Sequence, residues 1–533
     1  MTATLSKIAC SAALLLVGGC SPTNGASVAT DDGPSLPAAL PALEVAASST
    51  PTAQTPRSSS PNSIVLITLD TLRRDHLGCY GYFRETSPNL DAFAAQGLVF
   101  ERALSTAAST FPSHLSMLTG LYPHQHGRTS NQEAVHQPFA SGPGCSSLAR
   151  ALRESGWRTA GFVSSRVLAE DTGINDGFET FWCPGRRGNP ARAATTADRA
   201  LSWLAGLEPD APFFLWIHLW DTHEPNDPPE PYASMFSADE RVKAWIAGRG
   251  IDPAALREKF TADPSIAKHF FGDPRAEKAK TIADRYEERR ARKKGRRASQ
   301  EPGIDESDLV DLWNRYDGCV RYLDDQLGRI LEGLKQGGLW ENAIVAVVAD
   351  HGQSLGENVS LGHGRITNVN TFVPFLLRVP GGSVPARRDA RLVSLVDLTP
   401  TVLGRFAPDL LAEFRKQLEG SDVLEESFAR PFVLVEEASE FHGSAPREVR
   451  CALLEGRWKY LFSSQGNELY DLEGGGEGVD VLAQNWDEAV RLHAKVEELL
   501  KRRPEIATGT PVSAEKVQEL LDDLEDMGYV EGE

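Results

Sequence analysis

Two aspartates in this chain stand directly after apolar, β-branched segments. Asp70 follows residues 63–69, and Asp350 follows residues 343–349. Such segments are typical of strands buried on both faces of a parallel sheet. Residues just past the carboxyl ends of these strands meet at one edge of the sheet, where ligands bind. The two carboxylates and the neighbouring imidazole of His351 therefore predict a site for a divalent cation.

Thr110 carries the hydroxyl that such a cation could activate. Pro112 suits the first turn of a helix that continues over residues 114–119, so the hydroxyl is expected at a helix N-terminus. Backbone N–H groups and the helix dipole favour an anion there, and a metal would lower the pKa of the hydroxyl. Threonine also commonly caps helices, and taken alone Thr110 fits that role better. The aspartates and His351 favour the role of nucleophile.

Two further histidines are candidates for contact with a bound anion. His223 follows an apolar segment at 213–219, and His363 lies in a glycine-rich loop after Asp350. Because imidazole titrates near neutral pH, either could hydrogen-bond an anion or protonate a leaving oxygen. The alternative for each is an ordinary histidine in a surface loop. We expect both in the site because both follow strand ends of the same sheet.

The segments that must position these residues alternate between strand and helix patterns. Beyond those already named, one strand is predicted over 158–164 and helices over 88–97, 147–155 and 309–336. This alternation predicts a doubly wound, mostly parallel α/β sheet flanked by helices. Further on, the patterns predict a small C-terminal antiparallel sheet with a helix packed on it, from strands at 432–435, 450–454 and 458–462 and a helix at 486–502.

Four parts of the chain follow from these patterns: a lipoprotein signal peptide over 1–19, a disordered tether over 20–60, a catalytic domain over 61–425 and a C-terminal subdomain over 426–533. The catalytic domain carries a charged insertion over about 233–308. Its densest charge run, at 287–297, predicts a solvated helix, and a basic arm for an acidic partner is the alternative.

The N-terminus has the features of an export signal. Lys7 precedes an apolar run at 8–17 that is too short to span a bilayer, and Cys20 follows two glycines. This resembles the lipobox of bacterial lipoproteins, in which the cysteine carries lipid. A plain signal peptide with an incidental cysteine is the alternative. We therefore expect an exported protein anchored to a bacterial membrane through Cys20, in the periplasm or at the cell surface.

Composition excludes some classes of function. Asp and Glu number 74 against 55 Lys and Arg, for a formal charge of −19, which argues against a nucleic-acid-binding protein. A locally positive anion site is still allowed. Of the seven cysteines, five follow Cys20, so at least one of these is unpaired. The absence of a Cys-x-x-Cys pair argues against a zinc ribbon and against a thioredoxin-type site.

The chain resembles the sulfatase family of the alkaline phosphatase superfamily over nearly all of its length past the tether. The segments that carry the resemblance agree with the family in order and spacing; they are 69–81, 110–127, 216–225, 316–318, 349–352, 396–402 and 468–472. The resemblance implies that Asp70, Asp350 and His351 bind a metal and that Thr110 is the nucleophile. It also implies that His223 and His363 contact the substrate anion.

Several residues depart from the usual pattern of that family. Thr110 replaces the cysteine or serine that becomes formylglycine, and threonine cannot give that aldehyde because its β-carbon carries a methyl group. His114 replaces an arginine, Thr71 replaces a second aspartate, and His363 stands near the position of a lysine in many members. His351 stands where calcium-binding members often have asparagine.

These departures bear on the metal. We expect one divalent ion, since no Asp-x-x-x-His segment of the type that holds a second zinc in phosphatase relatives occurs on the middle strands. The resemblance implies calcium, whereas the imidazole of His351 makes manganese or zinc plausible.

The sequence therefore predicts a metal-dependent hydrolase of sulfate or phosphate esters. Its catalytic candidates are Thr110, His223, His363 and His114, and its substrate is a small anionic ester or a sulfated or phosphorylated glycan. A threonine alkoxide suits phosphate, while the family resemblance favours sulfate. Two alternatives stay open: a phosphoryl-group transferase, and a catalytically dead lipoprotein that binds an anion or glycan. The retained metal ligands argue against the second.

Overall fold

The computed structural model describes residues 63–184, 190–208, 211–262, 306–382, 384–439, 448–464, 466–501 and 517–518. The predicted signal peptide and tether, Cys20 and the charge run at 287–297 lie outside these residues.

The strands form a large central sheet, a small C-terminal sheet and a two-stranded ribbon. Their bounds are β1 (Ser63–Leu69), β2 (Leu98–Leu104), β3 (Arg158–Val163), β4 (Thr180–Trp182), β5 (Phe213–Leu219), β6 (Ala343–Ala349), β7 (Ser354–Leu355), β8 (Leu361–Gly362), β9 (Phe375–Arg378), β10 (Arg387–Ser394), β11 (Phe432–Ser439), β12 (Glu448–Glu455), β13 (Trp458–Phe462) and β14 (Glu468–Asp471).

The central sheet has eight strands in the order β10-β2-β9-β6-β1-β5-β3-β4. All neighbours are parallel except the pairs that β9 makes with β2 and β6. Every residue of β1, β5 and β6 is buried, as expected of continuous apolar strands covered on both faces. The predicted doubly wound, mostly parallel sheet is confirmed.

The register of the three central strands decides where the site lies. Leu69, the last residue of β1, pairs with Leu219 of β5 and with Ala349 of β6. The three strands therefore end at the same level, and the residues that follow them lie side by side. The bounds predicted for these three strands agree with the structure residue for residue.

Helices cover both faces of the sheet. Their bounds are α1 (Pro88–Ala94), α2 (Thr110–Thr119), α3 (Pro123–His126), α4 (Asn131–His136), α5 (Leu148–Glu154), α6 (Ala193–Ala205), α7 (Glu240–Ala247), α8 (Pro253–Ala262), α9 (Glu306–Gln336), α10 (Asn368–Thr371), α11 (Leu398–Phe406), α12 (Pro408–Phe414) and α13 (Trp486–Leu500). The long helix α9 packs against α1 and α6 with its apolar stripe buried. Both α7 and α8 fall in the predicted insertion.

The C-terminal sheet is antiparallel, in the order β11-β12-β13-β14. Helix α13 packs on one face through Ala489, Leu492 and Val496. On the other face, Val433 of β11 joins an apolar cluster with Leu104 of β2. The predicted sheet-plus-helix unit is confirmed, and it packs directly against the edge of the central sheet.

The structure also describes the cysteines and the apolar character of the helices. The five cysteines within the described ranges, Cys79, Cys145, Cys183, Cys319 and Cys451, are free thiols. Among the helices of the described residues, none combines the length and the apolar character that a bilayer crossing requires.

Candidate active site

The metal-ligand candidates lie together at the carboxyl end of the central strands. Thr71, directly after Asp70, has a φ of 54°, which is costly for a β-branched residue. This conformation lets its backbone N–H donate to Oδ1 of Asp350 at 3.1 Å. Its carbonyl accepts a hydrogen bond from the Tyr316 hydroxyl at 2.8 Å, which supports the strained turn. The fold thus pins the two aspartate-bearing loops to one another.

Asp350 and His351 point ligand atoms at the same place. Oδ1 of Asp350 also accepts from the backbone N–H of His351 at 2.7 Å, whereas Oδ2 is buried and has no hydrogen-bond partner within the described part of the chain. Nδ1–H of His351 donates to the Gly352 carbonyl at 3.0 Å, so its Nε2 presents a lone pair. That Nε2 lies 3.5 Å from Oδ2 of Asp350 and 3.9 Å from Oδ1 of Asp70.

The electrostatics of this group suit a cation. Burial would raise the pKa of Asp70, but contact with His218 and nearby imidazoles holds it below its usual range. Burial, and then the charge on Asp70, raises the pKa of Asp350 well above its usual range. Burial lowers the pKa of His351 to about 4, so this ring is neutral at pH 7. Two close carboxylates, an unpartnered oxygen and a neutral imidazole together fit a divalent ion.

Thr110 is the first residue of α2, and its side chain is buried. Its Oγ1 lies 3.2 Å from Nε2 of His351, so the hydroxyl adjoins the ligand group. Ser109, not Thr110, occupies the N-cap position. The N–H of Phe111 is taken by Oδ1 of Asn131 at 2.8 Å, and Pro112 has no N–H. The helix end therefore offers an anion fewer donors than the sequence indicated.

His114 lies behind Thr110 with both ring nitrogens engaged. Nδ1–H donates to the Thr110 carbonyl at 2.8 Å, and Nε2 accepts from the Thr68 hydroxyl at 3.0 Å. Trp216 in turn donates to that hydroxyl at 2.9 Å. Burial lowers the pKa of His114 well below its usual range, so the ring is neutral. Nδ1 holds the backbone of Thr110 and Nε2 is bound to Thr68, which leaves neither nitrogen for a ligand.

The structure brings His223 and His363 together beside this group. Their Nε2 atoms are 3.1 Å apart, and the rings of His351 and His363 have centroids 4.7 Å apart. The ring of Trp220 stacks on that of His223, with centroids 5.2 Å apart. All seven candidate residues from the sequence therefore belong to one continuous cluster, although their individual roles stay predictions.

Two residues of this region escaped the sequence reasoning. His218, on β5, places Nε2 3.3 Å from Oδ2 of Asp70. Glu437, on β11, accepts hydrogen bonds from the Ala108 N–H at 2.8 Å and from the Ser109 hydroxyl, directly before the nucleophile candidate. The sequence signal for His218 was a polar residue within an apolar strand. Glu437 had no such signal, because the predicted strand ended at residue 435.

Comparison with known proteins identifies the family and the fold. The chain matches the sulfatase family over residues 62–407. It is 26% identical over 472 residues to an arylsulfatase of Clostridium perfringens, with 77% of this chain and 88% of that protein covered. It is 24% identical over 373 residues to a multifunctional alkaline phosphatase superfamily protein of Trinickia caryophylli, with 60% and 67% covered. A phosphonate monoester hydrolase of Silicibacter pomeroyi shares the fold, with a TM-score of 0.62, 19% identity and 83% and 95% covered.

Proposed function

We propose that this chain, which belongs to the sulfatase family of ester hydrolases, is a metal-dependent enzyme that uses Thr110 itself as the nucleophile. The observation that carries the proposal is the 3.2 Å distance between the Thr110 hydroxyl and Nε2 of His351, within the group formed with Asp70 and Asp350. A hydroxyl placed among metal ligands can be ionised near neutral pH.

The residues of the site have different roles in this proposal. Asp70, Asp350 and His351 would hold the ion, which lowers the pKa of the hydroxyl and polarises the ester when it is bound. With two oxygen donors and one imidazole nitrogen, this set suits manganese or zinc better than calcium, which prefers oxygen ligands throughout. His114 fixes the backbone carbonyl of Thr110 and so orients its side chain.

In the proposed reaction, Oγ1 of Thr110 attacks the phosphorus or sulfur, the bond to the ester oxygen breaks, and the alcohol leaves with the proton that the Thr110 hydroxyl gave up. Water then hydrolyses the threonine ester, which releases inorganic phosphate or sulfate and restores the hydroxyl. Phosphate esters fit this route better, because a phospho-threonine is more readily hydrolysed than a sulfo-threonine. Similarity to the multifunctional alkaline phosphatase superfamily protein supports phosphate, and similarity to the arylsulfatase supports sulfate. The N-terminal pattern around Cys20 favours an anionic ester met outside the cytoplasm.

Paired aryl phosphate and aryl sulfate esters, assayed with several divalent metals, test the proposal. Thr110→Ala should lower turnover by at least about 10³-fold, since it removes the attacking atom. Thr110→Ser keeps a hydroxyl and should retain measurable activity. Thr119→Ala is a matched control, because Thr119 is equally buried at the far end of α2, where its hydroxyl bonds to the Leu115 carbonyl.

Mass spectrometry after rapid acid quench gives a second readout. A phosphoryl or sulfuryl group on the peptide that contains Thr110 is expected with the wild type and not with Thr110→Ala. Full activity of Thr110→Ala would refute the role of Thr110. A folded protein that turns over neither ester with any metal would favour the anion-binding alternative, and transfer of the group to an added alcohol would favour a phosphoryl transferase.

A further inference from the structure

The loops that follow the three central strands carry the candidate site, and hydrogen bonds join them in pairs. Each loop is named here by the strand that it follows: the β1 loop is 70–73, the β5 loop is 220–226 and the β6 loop is 350–353. The Thr71 N–H joins the β1 loop to the β6 loop, because it donates to Oδ1 of Asp350 at 3.1 Å. The Thr222 hydroxyl joins the β5 loop to the β1 loop, because it donates to the Asp70 carbonyl.

A pair of buried amides joins the β6 loop to the β5 loop. Nε2 of Gln353 donates to Oδ1 of Asn226 at 2.9 Å. The amide of Asn226 is fixed in this orientation, because its Nδ2 donates to the Thr222 carbonyl at 2.9 Å. Both side chains are fully buried. The bond between Asn226 and Gln353 therefore closes a ring of three links around the site.

The ring connects two groups with different predicted roles. The β1 and β6 loops carry the candidate metal ligands Asp70, Asp350 and His351. The β5 loop carries His223, the candidate for contact with the substrate anion, in the same turn as Asn226, whose N–H donates to the His223 carbonyl at 3.2 Å. The distance between the metal ligands and this anion contact therefore depends on how the β5 loop is held against the β6 loop.

Both amides have features that reduce folding stability. Asn226 has a φ of 53°, in the left-handed region that is unfavourable for most residues and that asparagine adopts more readily than others. Oε1 of Gln353 is buried and has no hydrogen-bond partner among the described residues, and an unpaired buried amide oxygen is destabilising. These two penalties offset much of what one neutral hydrogen bond contributes, so stability alone does not account for the pair. Strain of this kind is concentrated at functional sites.

Charged side chains hold the backbone on both sides of the amide pair. Nη1 of Arg315, on α9, donates to the Pro225 carbonyl at 2.9 Å and to the Asn226 carbonyl at 3.3 Å. Nη1 of Arg73 donates to the Gln353 carbonyl at 3.1 Å. Because these anchors stiffen the two loops, a change in the spacing of the amides is passed on to the histidines of the loops and is not absorbed by local bending.

We propose that Asn226 and Gln353 are positioning residues that hold His223 at its working distance from the metal ligands. The proposal rests on the function proposed above, because it takes His223 as the anion contact and the neighbouring aspartates as the metal site. Neither amide contacts the reacting atoms. Their bond fixes the β5 loop, which binds the anion, against the β6 loop, which holds the metal.

Two substitutions break the bond in different ways. Gln353→Met removes the donor with little change in volume, and Asn226→Gly removes the acceptor while easing the positive φ. Isothermal titration of zinc into the chelator-stripped, full-length chain should give the wild-type affinity for both variants, because the link between the β1 and β6 loops remains. Crystal structures of the zinc-loaded wild type and Gln353→Met, without substrate, should show His223 displaced relative to Asp350 by about 1 Å, a shift that lowers rates about 10²-fold.

Kinetics on the aryl phosphate or aryl sulfate that the wild type hydrolyses give the second readout. In each variant kcat/KM should fall about 10- to 100-fold, with a higher KM as well as a lower kcat, because the anion contact itself is displaced. The double variant should be no worse than the more impaired single variant, because both changes break the same bond. Gln125→Met is the matched control: this buried glutamine of α3 donates to Oε1 of Glu419 at 2.9 Å, and its loss should leave kcat/KM unchanged.

Several results would overturn the proposal. They are an unmoved His223 in the Gln353→Met structure, a normal kcat/KM in either single variant that folds by thermal melt, and losses that multiply in the double variant. Joint loss of zinc binding and turnover would also overturn it, since Gln353 would then support the metal ligands and not the alignment. If the wild type hydrolyses neither ester, the proposed function fails, and the position of His223 in the two structures still decides whether the amide pair positions it.

Discussion

Glu437 offers a sharp test of how the C-terminal sheet contributes to the active site. Its carboxylate accepts hydrogen bonds from the Ala108 N–H at 2.8 Å and from the Ser109 hydroxyl. The Ala108 carbonyl accepts in turn from the Gly364 N–H at 3.0 Å. One buried carboxylate on β11 thus fixes the turn that leads into Thr110.

The change Glu437→Gln keeps the size of the side chain and replaces one accepting oxygen with an NH₂ group. One charge-assisted hydrogen bond is lost and the other becomes neutral, which costs about 2–3 kcal/mol of folding stability. Freed of this constraint, the turn can shift, and a displacement of about 1 Å at the reacting atom can lower the rate about 10²-fold. We expect kcat to fall about 10- to 100-fold with little change in KM, because the residue lies outside the ligand-binding groups.

Glu436→Gln is the matched control. Glu436 is the neighbouring residue on β11, is also buried, and accepts hydrogen bonds from the N–H of His124 at 3.0 Å and from its Nδ1 at 2.7 Å. Its loss should cost similar stability without reaching Thr110. Steady-state kinetics on the ester that proves to be the substrate, with thermal melts of both variants, check this. Equal loss of kcat in the two variants, or a normal kcat in Glu437→Gln, would refute the positioning role.

Two further predictions concern the supports of the site and the fold. In Gly352→Ala the new Cβ would lie 2.0 Å from the Val369 carbonyl oxygen. This clash should displace His351 and lower the zinc affinity of the site that it forms with Asp70 and Asp350 by about tenfold or more, which isothermal titration would measure. Burial raises the pKa of Asp324 from 3.8 to about 6, a shift of about two units or ~3 kcal/mol. A raised pKa stabilises the fold below about pH 4, and this contribution is lost as the pH rises through 6. Relative to Asp324→Asn, the wild type should therefore lose about 3 kcal/mol of unfolding free energy between pH 4 and pH 7, and a pH-independent difference in urea denaturation would contradict this.

The sequence was sufficient to predict the positions of the candidate residues that directly follow the ends of strands. Apolar β-branched segments ending in Asp70 and Asp350 required a parallel sheet, and the register of β1 with β6 brings those ends together. The position of Thr110 followed from the helix that begins there. These predictions succeeded because local pattern and the geometry of parallel sheets leave few alternatives.

The positions of residues that depend on packing between distant segments could not be predicted from local sequence patterns. His218 reads as a core histidine within an apolar strand, and only the tertiary structure places it against Asp70. Strand β11 extends to Ser439 because it pairs with β12 along its whole length, and this extension carries Glu437 to the turn before Thr110. The N–H of Phe111 is occupied by Asn131 from another helix, which no local pattern indicates.

The departures from the family pattern have a common electrostatic consequence. Where the resemblance implies an arginine and often a lysine, this chain has His114 and His363, and burial lowers the pKa of both rings, so neither supplies a positive charge at neutral pH. An anionic ester still needs positive charge in the cleft, and the transition state needs it near Thr110. In the proposed mechanism, a metal ion held by Asp70, Asp350 and His351 supplies that charge. We therefore expect that this protein, if it hydrolyses an anionic ester as proposed, depends more on bound metal than a sulfatase with formylglycine and cationic side chains does.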